Sequence, residues 1–321
     1  MTIRVGVIGT GAIGAEHARR LATSIEGATV SVVADADGSR AAGVAASLGT
    51  VRVAGDGFEL IDAVDVDAVL IASSGETHLA FAVAAIAAGK PVFCEKPLAP
   101  TAAECRSVVD AEVAAGRRLV TMGFMRRLDP GYLEAKATLD GGAIGEPLLV
   151  HNIHRNPSVG EWFTWAMTMT DSIVHEIDVT RWLLGEEIVA VQVIEPKRSP
   201  IAPRDLQDPQ FAVLTTESGI LSTVEFFGSA GYGYDVRCEV VGSTGTARVE
   251  APVAPDYHRR FQAAYQAELE AWISGLERGE IVGPTTWDGY AATRVAEAGV
   301  KAMAAAGRVV IDSVERPAIY P

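Results

Sequence analysis

The feature that most constrains the fold is a short apolar run near the N-terminus that leads directly into three spaced glycines. Ile3 to Ile8 is a candidate buried strand, followed by Gly9-Thr-Gly11-Ala-Ile-Gly14 and a helical segment to about Ser24. A G-x-G-x-x-G pattern between a strand and a helix is the fingerprint of a dinucleotide-binding βαβ unit. The sequence therefore predicts a parallel α/β domain of the Rossmann type that begins here.

Each glycine of this pattern has a physical reason. Gly9 permits the tight turn, Gly11 lets a pyrophosphate approach the main chain, and Gly14 lets the helix pack closely on the strand. The helix start adds unpaired N–H groups and a partial positive charge, which suit phosphates. We therefore expect cofactor contacts along this loop, from Gly9, Gly11, Ala12, Ile13 and Gly14.

The choice of dinucleotide depends on Asp35. A second strand, Val30 to Ala34, ends at this residue, which follows Gly14 by 21 positions, close to the expected separation of roughly 20. A carboxylate there accepts hydrogen bonds from ribose hydroxyls and repels a 2′-phosphate, so NAD is favoured over NADP. The alternative is a solvated loop residue, and Arg40 nearby would soften the preference.

The alternation of strands and helices continues, with strands at Ala68–Ala72, Pro91–Cys94 and Leu119–Gly123 and an Ala-rich helix between about His78 and Ala88. This order predicts a parallel sheet, whose ligands bind beyond the carboxyl ends of its strands. Ser73 and Glu95 occupy that position, and we expect both to contact the cofactor. His78 lies at the same edge, where it either reaches the nicotinamide end or simply ends the helix.

Lys96 is the candidate electrophile. Most loop lysines are solvated surface charges, but this one lies between Glu95 and Pro97 at the ligand edge of the sheet. Its ammonium can donate to a substrate oxygen and stabilise the negative charge that develops there. We also expect it to contact the cofactor.

The segment Thr170 to Leu184 predicts a helix with an apolar face and a polar stripe. Asp171, His175 and Asp178 fall at i, i+4 and i+7, on one side of the helix. A carboxylate one turn from an imidazole holds its tautomer and stabilises its charged form, as a general base requires. The alternative is that Asp171 caps the helix and His175 is an ordinary surface histidine.

The pattern changes after about Met122. Six strand candidates with turn signals at Glu217–Gly219 and Gly242–Gly245 indicate an antiparallel sheet. Long amphipathic helices at Arg259–Arg278 and Trp287–Ala305 and a last strand at Arg308–Ile311 follow. We therefore predict two domains, an α/β dinucleotide-binding domain over residues 1–121 and an α+β domain with a large, mainly antiparallel sheet over residues 122–321.

Composition excludes several classes of protein. The formal net charge of −14 argues against nucleic acid and anionic membranes as partners. No secretion signal and no apolar run of membrane-spanning length are recognised. Three widely spaced cysteines suit a reducing cytoplasm and, with six histidines in no metal-binding pattern, lead us to expect no metal.

Several motifs together resemble the glucose–fructose oxidoreductase/inositol dehydrogenase (Gfo/Idh/MocA) family over essentially the whole chain. They are the glycine fingerprint, Glu95-Lys96-Pro97, the helix with Asp171 and His175, Gly-Phe-Met-Arg-Arg at 123–127, His-Arg-Asn-Pro at 154–157 and Tyr-Gly-Tyr-Asp at 232–235. The resemblance implies a dehydrogenase that forms dimers or tetramers through its C-terminal sheet, in keeping with the NAD indicated by Asp35 and the cytoplasm indicated by the cysteines.

The resemblance also implies roles for single residues. Lys96 would contact the oxidised hydroxyl, beside a proline that a cis bond can precede, and Asp171 and His175 would form the catalytic dyad. Met125 would lie at the boundary of cofactor and substrate. The residues implied to bind polyol hydroxyls are His154, Asp178 and Tyr234. For Tyr234 the residues alone leave open a pair of amphipathic edge tyrosines.

The implied reaction is oxidation of a cyclic polyol, with myo-inositol to 2-keto-myo-inositol as the first expectation. The alternatives are scyllo-inositol or another sugar and, more distantly, a sensor that binds NAD without turnover. The loop at 158–169 departs from the family pattern, because it carries Trp162, Phe163 and Trp165 where a more polar loop is expected. The identity of the polyol therefore stays open.

Overall fold

A computed structural model describes residues 2–320 of the chain. These residues form two compact units. The first comprises the chain up to Phe124, Tyr265–Tyr290 and the residues from Glu315 onward, and the second comprises Met125–Ala264 and Ala291–Val314.

The first unit is built on a parallel sheet with a helix after most strands. Its strands are β1 Ile3–Ile8, β2 Ala28–Ala34, β3 Arg52–Val53, β4 Ala68–Ile71, β5 Val92–Glu95 and β6 Val120–Gly123. The helices between them are α1 Ala12–Thr23, α2 Gly38–Leu48, α3 Gly57–Asp62, α4 Gly75–Ala87 and α5 Ala102–Ala115. The strand order is β3-β2-β1-β4-β5-β6, and every neighbouring pair is parallel. The predicted Rossmann-type domain is confirmed.

This strand order positions the site. The chain crosses from one side of β1 to the other between β3 and β4, so the loops after β1 and β4 diverge at the carboxyl edge of the sheet. Such a switch point leaves a crevice in which ligands of open α/β sheets bind. Any dinucleotide site is therefore expected beside the glycine loop.

The core of this unit explains why its strands are apolar along their whole length. Val5, Val7 and Phe93 have no exposed surface, since helices cover the sheet. Two later residues, Leu269 and Trp272, belong to the same core cluster. The core of the first unit thus includes residues that lie far along the chain.

The second unit contains the large sheet. Its strands are β7 Pro147–Arg155, β8 Ile188–Ile194, β9 Gln210–Thr216, β10 Leu221–Phe227, β11 Asp235–Gly242, β12 Thr246–Val249 and β13 Val309–Val310. The order is β12-β11-β7-β10-β9-β8-β13, in which β7 and β10 are parallel and the other pairs antiparallel. The predicted mainly antiparallel sheet and the hairpins β9–β10 and β11–β12 are confirmed.

The remaining helices are α6 Pro130–Asp140, α7 Val174–Leu184, α8 Tyr257–Arg260, α9 Gln262–Glu277 and α10 Thr286–Ala305, with a 3₁₀ turn at Met125–Leu128 and a π-helical turn at Thr168–Ile173. The predicted helix Arg259–Arg278 is divided at Phe261, which ends α8. No helix within residues 2–320 is long and apolar enough to cross a bilayer.

Candidate active site

The glycine loop between β1 and α1 leaves no room for side chains on its protein side. Gly9 has a φ of 90°, and a Cβ there would lie 2.4 Å from the main-chain nitrogen of Ser73. A Cβ at Gly14 would lie 1.9 Å from the carbonyl oxygen of Gly9. At Gly11 a Cβ would have no described atom within 4 Å. The absence of a side chain there therefore makes room only for a ligand that approaches the main chain from the solvent side.

A cavity of about 480 Å³ opens beside this loop. Its lining includes Gly9, Gly11, Asp35 and Ser73. Helix α1 begins next to it at Ala12, without a side-chain cap, so the N–H groups of its first turn suit an anion. Ala12 is exposed and Ile13 half-buried in that turn. The residues present therefore fit a dinucleotide, with its pyrophosphate at the loop.

Asp35 faces the cavity and also holds the glycine loop. Its Oδ2 accepts hydrogen bonds from the main-chain N–H and the hydroxyl of Thr10, at 2.6 and 2.9 Å, and its Oδ1 accepts one from the N–H of Asp37 at 2.8 Å. Burial favours a higher pKa for Asp35, but these hydrogen bonds outweigh it and lower the pKa below its usual value. Arg40 lies 3.7 Å from Oδ1 and also lines the cavity.

Other lining residues escaped the sequence analysis. The turn after β3 contributes Gly55, Asp56 and Gly57, and α4 contributes Thr77 and Phe81. The Gly-Asp-Gly run is a turn signal that marks a loop at this edge of the sheet. Without the strand order, nothing in the sequence connects that loop with the glycine fingerprint.

Lys96 follows β5 and is half-buried. The peptide bond between Lys96 and Pro97 is cis, the geometry that the resemblance allowed. The Lys96 main-chain N–H donates to Oε2 of Glu95 at 3.2 Å, and Oε1 of Glu95 lies 2.8 Å from Nε2 of His17. The Glu95 carboxyl is thus directed toward α1 and, among the described residues, is not part of the cavity lining.

The ring of His78 is buried against the same segment. Its Nδ1 lies 2.7 Å from the carbonyl oxygen of Pro97 and its Nε2 3.0 Å from that of Ser73. Burial is the largest influence on its pKa, which is lowered despite the two carbonyls. His78 therefore lies between the loops after β4 and β5, where a neutral ring donates to only one of the two carbonyl oxygens. It too lies outside the described lining of the cavity.

Asp171 and His175 lie at a change of helical geometry in the second unit. Asp171 belongs to the π-helical turn and is half-buried, whereas His175 lies in the first turn of α7 and is buried. The prediction of one α-helix from Thr170 to Leu184 is therefore wrong over its first residues. Apolar spacing did not reveal the wider turn, because Met169 and Ile173 are both buried in it.

The segment before this turn is aromatic and partly exposed. Trp162 and Trp165 are 69% and 41% exposed. Phe163 is instead buried, and its ring stacks on that of Phe226 with centroids 6.2 Å apart. Phe163 thus packs the loop against β10, whereas the side chains of Trp162 and Trp165 remain exposed to solvent.

His154 and Tyr234 come together in the second unit around a buried ion pair. The Tyr234 hydroxyl lies 3.5 Å from Nε2 of His154, and Nδ1 of His154 lies 3.1 Å from Oε2 of Glu176. Arg126 donates to the other oxygen of Glu176. Burial favours a higher pKa for Glu176, but Arg126 and His154 lower it to about 2. The sequence analysis missed both charges, although Arg126 lies within the noted 123–127 motif.

Asp178 and Met125 are also buried in this unit. Asp178 accepts two hydrogen bonds from Arg127, from Nε at 2.9 Å and from Nη2 at 2.5 Å. Met125 opens the 3₁₀ turn that also carries both arginines. The turn therefore delivers two guanidinium groups to two acidic residues of α7, two positions apart.

Comparison with known proteins agrees with this architecture. Residues 3–124 match the family model described as "Oxidoreductase family, NAD-binding Rossmann fold", and residues 132–248 match the "GFO/IDH/MocA C-terminal domain". The chain is 48% identical to inositol 2-dehydrogenase 2 of Saccharopolyspora erythraea, over 100% of this chain and 98% of that one. It is also 48% identical to an inositol 2-dehydrogenase of Burkholderia ambifaria, over 100% and 99% of the two chains.

Two solved structures from Lactobacillus casei extend the comparison. One is a myo-inositol dehydrogenase in complex with NAD(H) and myo-inositol, with a TM-score of 0.97, 35% identity and full coverage of both chains. The other is a scyllo-inositol dehydrogenase with bound NAD(H) and scyllo-inositol, with a TM-score of 0.89 and 26% identity over 97% and 99% of the chains. The chain therefore belongs to the GFO/IDH/MocA family of oxidoreductases, whose N-terminal domain is an NAD-binding Rossmann fold.

Proposed function

We propose that the protein oxidises a secondary alcohol of a cyclic polyol with NAD, and that it converts myo-inositol to 2-keto-myo-inositol. The observation that carries the proposal is full-length similarity. A myo-inositol dehydrogenase crystallised with NAD(H) and myo-inositol has a TM-score of 0.97, and relatives named inositol 2-dehydrogenase are 48% identical.

The cofactor site is assigned to the cavity beside the glycine loop. Gly9, Gly11, Gly14 and the α1 residues Ala12 and Ile13 receive the pyrophosphate, while Asp35 and Ser73 contact the nucleoside moieties. When bound, NAD supplies the acceptor for the hydride that leaves the carbinol carbon. Lys96, Glu95 and His78 lie at the same edge of the sheet and are assigned the further cofactor contacts, while the hydrogen bonds of Glu95 and His78 also hold the Lys96–Pro97 segment.

The chemistry is assigned to three side chains. His175 removes the hydroxyl proton, and Asp171 stabilises the imidazolium that results. Lys96 donates to the same oxygen and stabilises its developing negative charge. Met125 packs against the bound ring, and the remaining hydroxyls are recognised by His154, Asp178 and Tyr234. Such polar contacts discriminate strongly, since a substrate that lacks one hydroxyl leaves a buried group unpaired.

We assign cofactor binding and substrate binding to the two domains that the sequence predicts. Residues 1–121 hold NAD, with Tyr265–Tyr290 packed into the same unit as structural support. The rest of residues 122–321 bind the polyol and form a homo-oligomer, a dimer or tetramer, through the face of the large sheet that is exposed here. The protein acts in the cytoplasm, without a nucleic acid or membrane partner. The net charge of −14 supports the last statement.

The decisive experiment compares substrates and cofactors. Steady-state rates are measured with myo-inositol, scyllo-inositol and glucose, each with NAD and with NADP. The highest kcat/KM is expected for myo-inositol with NAD. A higher value for scyllo-inositol would favour the second candidate, which the similarity to a scyllo-inositol dehydrogenase supports.

A lysine variant separates an enzyme from a sensor that only binds NAD. Lys96→Ala is expected to abolish turnover and to retain NAD binding, measured by fluorescence titration, because the ammonium acts on the substrate oxygen. Lys301→Ala removes an exposed lysine of α10 and serves as the control. Wild-type protein that binds NAD but oxidises no polyol would refute the proposed function, and unchanged turnover in Lys96→Ala would refute the role of the lysine.

A further inference from the structure

A cluster of three buried titratable groups is formed by residues of α1, β5 and α9, and the proposed reaction does not use it. His17 of α1, Glu95 of β5 and Glu268 of α9 each present an atom within 4.8 Å of the other two. All three belong to the first unit and are buried, with His17 entirely inaccessible. Residues that are distant in the chain thus meet in the core of the nucleotide-binding unit.

The two carboxyl groups of the cluster differ in their hydrogen bonds. Glu95 is satisfied at both oxygens, by His17 and by the main-chain N–H of Lys96. For Glu268, neither carboxyl oxygen has a hydrogen-bond partner among residues 2–320. The cation that acts on it is Arg20 of α1, which also pairs with Glu16 at 2.8 Å. Glu268 is therefore a buried carboxyl with a negative neighbour and no donor.

A carboxylate in this environment is unstable as an anion. Removal from water without compensating hydrogen bonds disfavours the charged form, and a second carboxylate nearby disfavours it further. Burial, and then Glu95, accordingly raise the pKa of Glu268 well above its usual value, while Arg20 opposes them. The groups that face Glu268 from other elements are thus His17 and Arg20 on α1 and Glu95 on β5.

We propose that Glu268 is a neutral carboxylic acid at neutral pH, and that with His17 it forms a positioning site for Glu95 and for the main chain that begins the Lys96–Pro97 segment. An uncharged Glu268 adds no second negative charge beside Glu95. Glu95 then remains the acceptor for both His17 and the Lys96 N–H. A second negative charge would repel the Glu95 carboxylate and compete for His17, so the segment that carries Lys96 would move.

The effect on Lys96 rests on the proposed function, whereas the charge of Glu268 does not. A raised pKa in the folded state means that stability is fully present below the pKa of the unfolded chain, about 4.3, and is lost as pH rises toward the folded value. Folding stability at alkaline pH therefore reports the charge of Glu268 without any substrate.

The experiment uses Glu268→Gln, an uncharged variant of the same shape, with Glu270→Gln as the matched control on the exposed face of α9. Unfolding temperature is recorded from pH 6 to pH 10, together with kcat, KM and NAD affinity. Glu268→Gln is expected to keep kcat within roughly twofold at neutral pH, since the amide replaces a neutral acid. Its unfolding temperature is expected to fall less than that of wild type at alkaline pH, and its kcat to persist to higher pH.

A third variant, Glu268→Ala, leaves a cavity, and its kcat is expected to fall with little change in KM for NAD. Loss of activity and of stability in Glu268→Gln at neutral pH would overturn the proposal, because the anion would then be required. Stoichiometric divalent metal in the purified wild type, absent from Glu268→Gln, would overturn it too, since His and carboxylates are also metal ligands. If no polyol is oxidised, the unfolding data alone decide the charge of Glu268.

Discussion

Asp35 shows that a single residue in this protein can carry two tasks. Its carboxylate anchors the main chain of Thr10 within the glycine loop and also lines the cofactor cavity. A carboxylate has several acceptor positions, so these tasks do not compete. Substitution should therefore separate the hydrogen bonds of Asp35 from its charge.

The pair Asp35→Asn and Asp35→Ala tests this separation. Asn retains an acceptor for Thr10 but loses the acceptor for the Asp37 N–H and the charge that repels a 2′-phosphate. Arg40 then keeps Asp37, at 3.6 Å, as an acidic partner and loses Asp35. We expect Asp35→Asn to lose about 1 kcal/mol of stability, the usual contribution of one hydrogen bond, and to gain activity with NADP relative to NAD. Asp35→Ala should also weaken NAD binding, because the loop loses its anchor. An unaltered ratio of kcat/KM for the two cofactors in both variants would contradict the assignment.

Glu176 is a single residue whose charge contributes to the stability of the fold. It is buried between Arg126 and His154, which lower its pKa to about 2, below the unfolded value of about 4.3. The stability that it contributes is therefore present above the unfolded pKa and is lost as pH falls through this window.

We expect Glu176→Gln to destabilise the protein by roughly 3–5 kcal/mol at neutral pH, because Arg126 stays buried without its counter-charge. The same variant should lose less stability than wild type between pH 5 and pH 3, measured as urea midpoints. Glu187→Gln, which changes a half-buried partner of Arg181, is the milder comparison. Parallel acid limbs for wild type and Glu176→Gln would show that Glu176 is not the titrating group.

At the scale of elements, the π-helical turn before α7 determines how Asp171 is oriented relative to α7. Its residues Met169 and Ile173 are buried, and a Cβ at Gly299 of α10 would lie 2.2 Å from the terminal methyl of Met169. This close approach fixes the turn against α10. Such turns are rare and often occur at functional sites, since one extra residue changes the direction of the side chains around it.

Deletion of Ser172 tests whether the turn orients Asp171. Removal of one residue converts a π turn to an α turn, which would rotate Asp171 by about 100° relative to α7. We expect turnover to fall roughly 10²- to 10⁴-fold, the usual contribution of general acid–base groups, while NAD binding persists. Asp171→Asn removes the charge without altering the turn and should show a comparable loss. Full activity in the deletion would exclude an orienting role for the turn.

At the scale of the whole molecule, one face of the large sheet is incompletely covered. Leu149 of β7 and Leu221 of β10 are paired in register and are 37% and 40% exposed. Their neighbours in sequence, Val150 and Ser222, are buried on the other face, as the two-residue period of strands requires. Exposed apolar pairs on an open sheet favour association, which is the proposed homo-oligomer.

Leu149→Glu and Leu221→Glu should therefore dissociate the oligomer, because each introduces like charges at a symmetric contact. The measurement is molar mass by light scattering during size-exclusion chromatography. Val64→Glu, at a position 93% exposed in a loop of the first unit, should leave the mass unchanged. A wild-type monomer, or an unchanged oligomer in both leucine variants, would refute this use of the sheet.

The elements were predictable wherever local chemistry is strong. The glycine fingerprint, the apolar strands and the turn residues of the hairpins all lie within short windows, so their bounds differ from the structure by only a few residues. The π turn was not predictable, since Met169 and Ile173 have a spacing that both helix types bury. Glu176 and Glu268 were missed for another reason. The charge state of each depends on a neighbour in space that lies far along the chain.

The sequence by itself determined that the chain begins with a dinucleotide-binding unit, that a mainly antiparallel sheet follows, and that it resembles a family of polyol dehydrogenases. These conclusions rest on periodicity and on motifs in which the interacting residues are neighbours. Only the tertiary structure decided that Asp35 anchors Thr10, that His78 and Glu95 support the Lys96 segment, and that Glu268 lies beside Glu95. The reason is physical: burial and charge pairing depend on distance in space, which the order of residues does not specify.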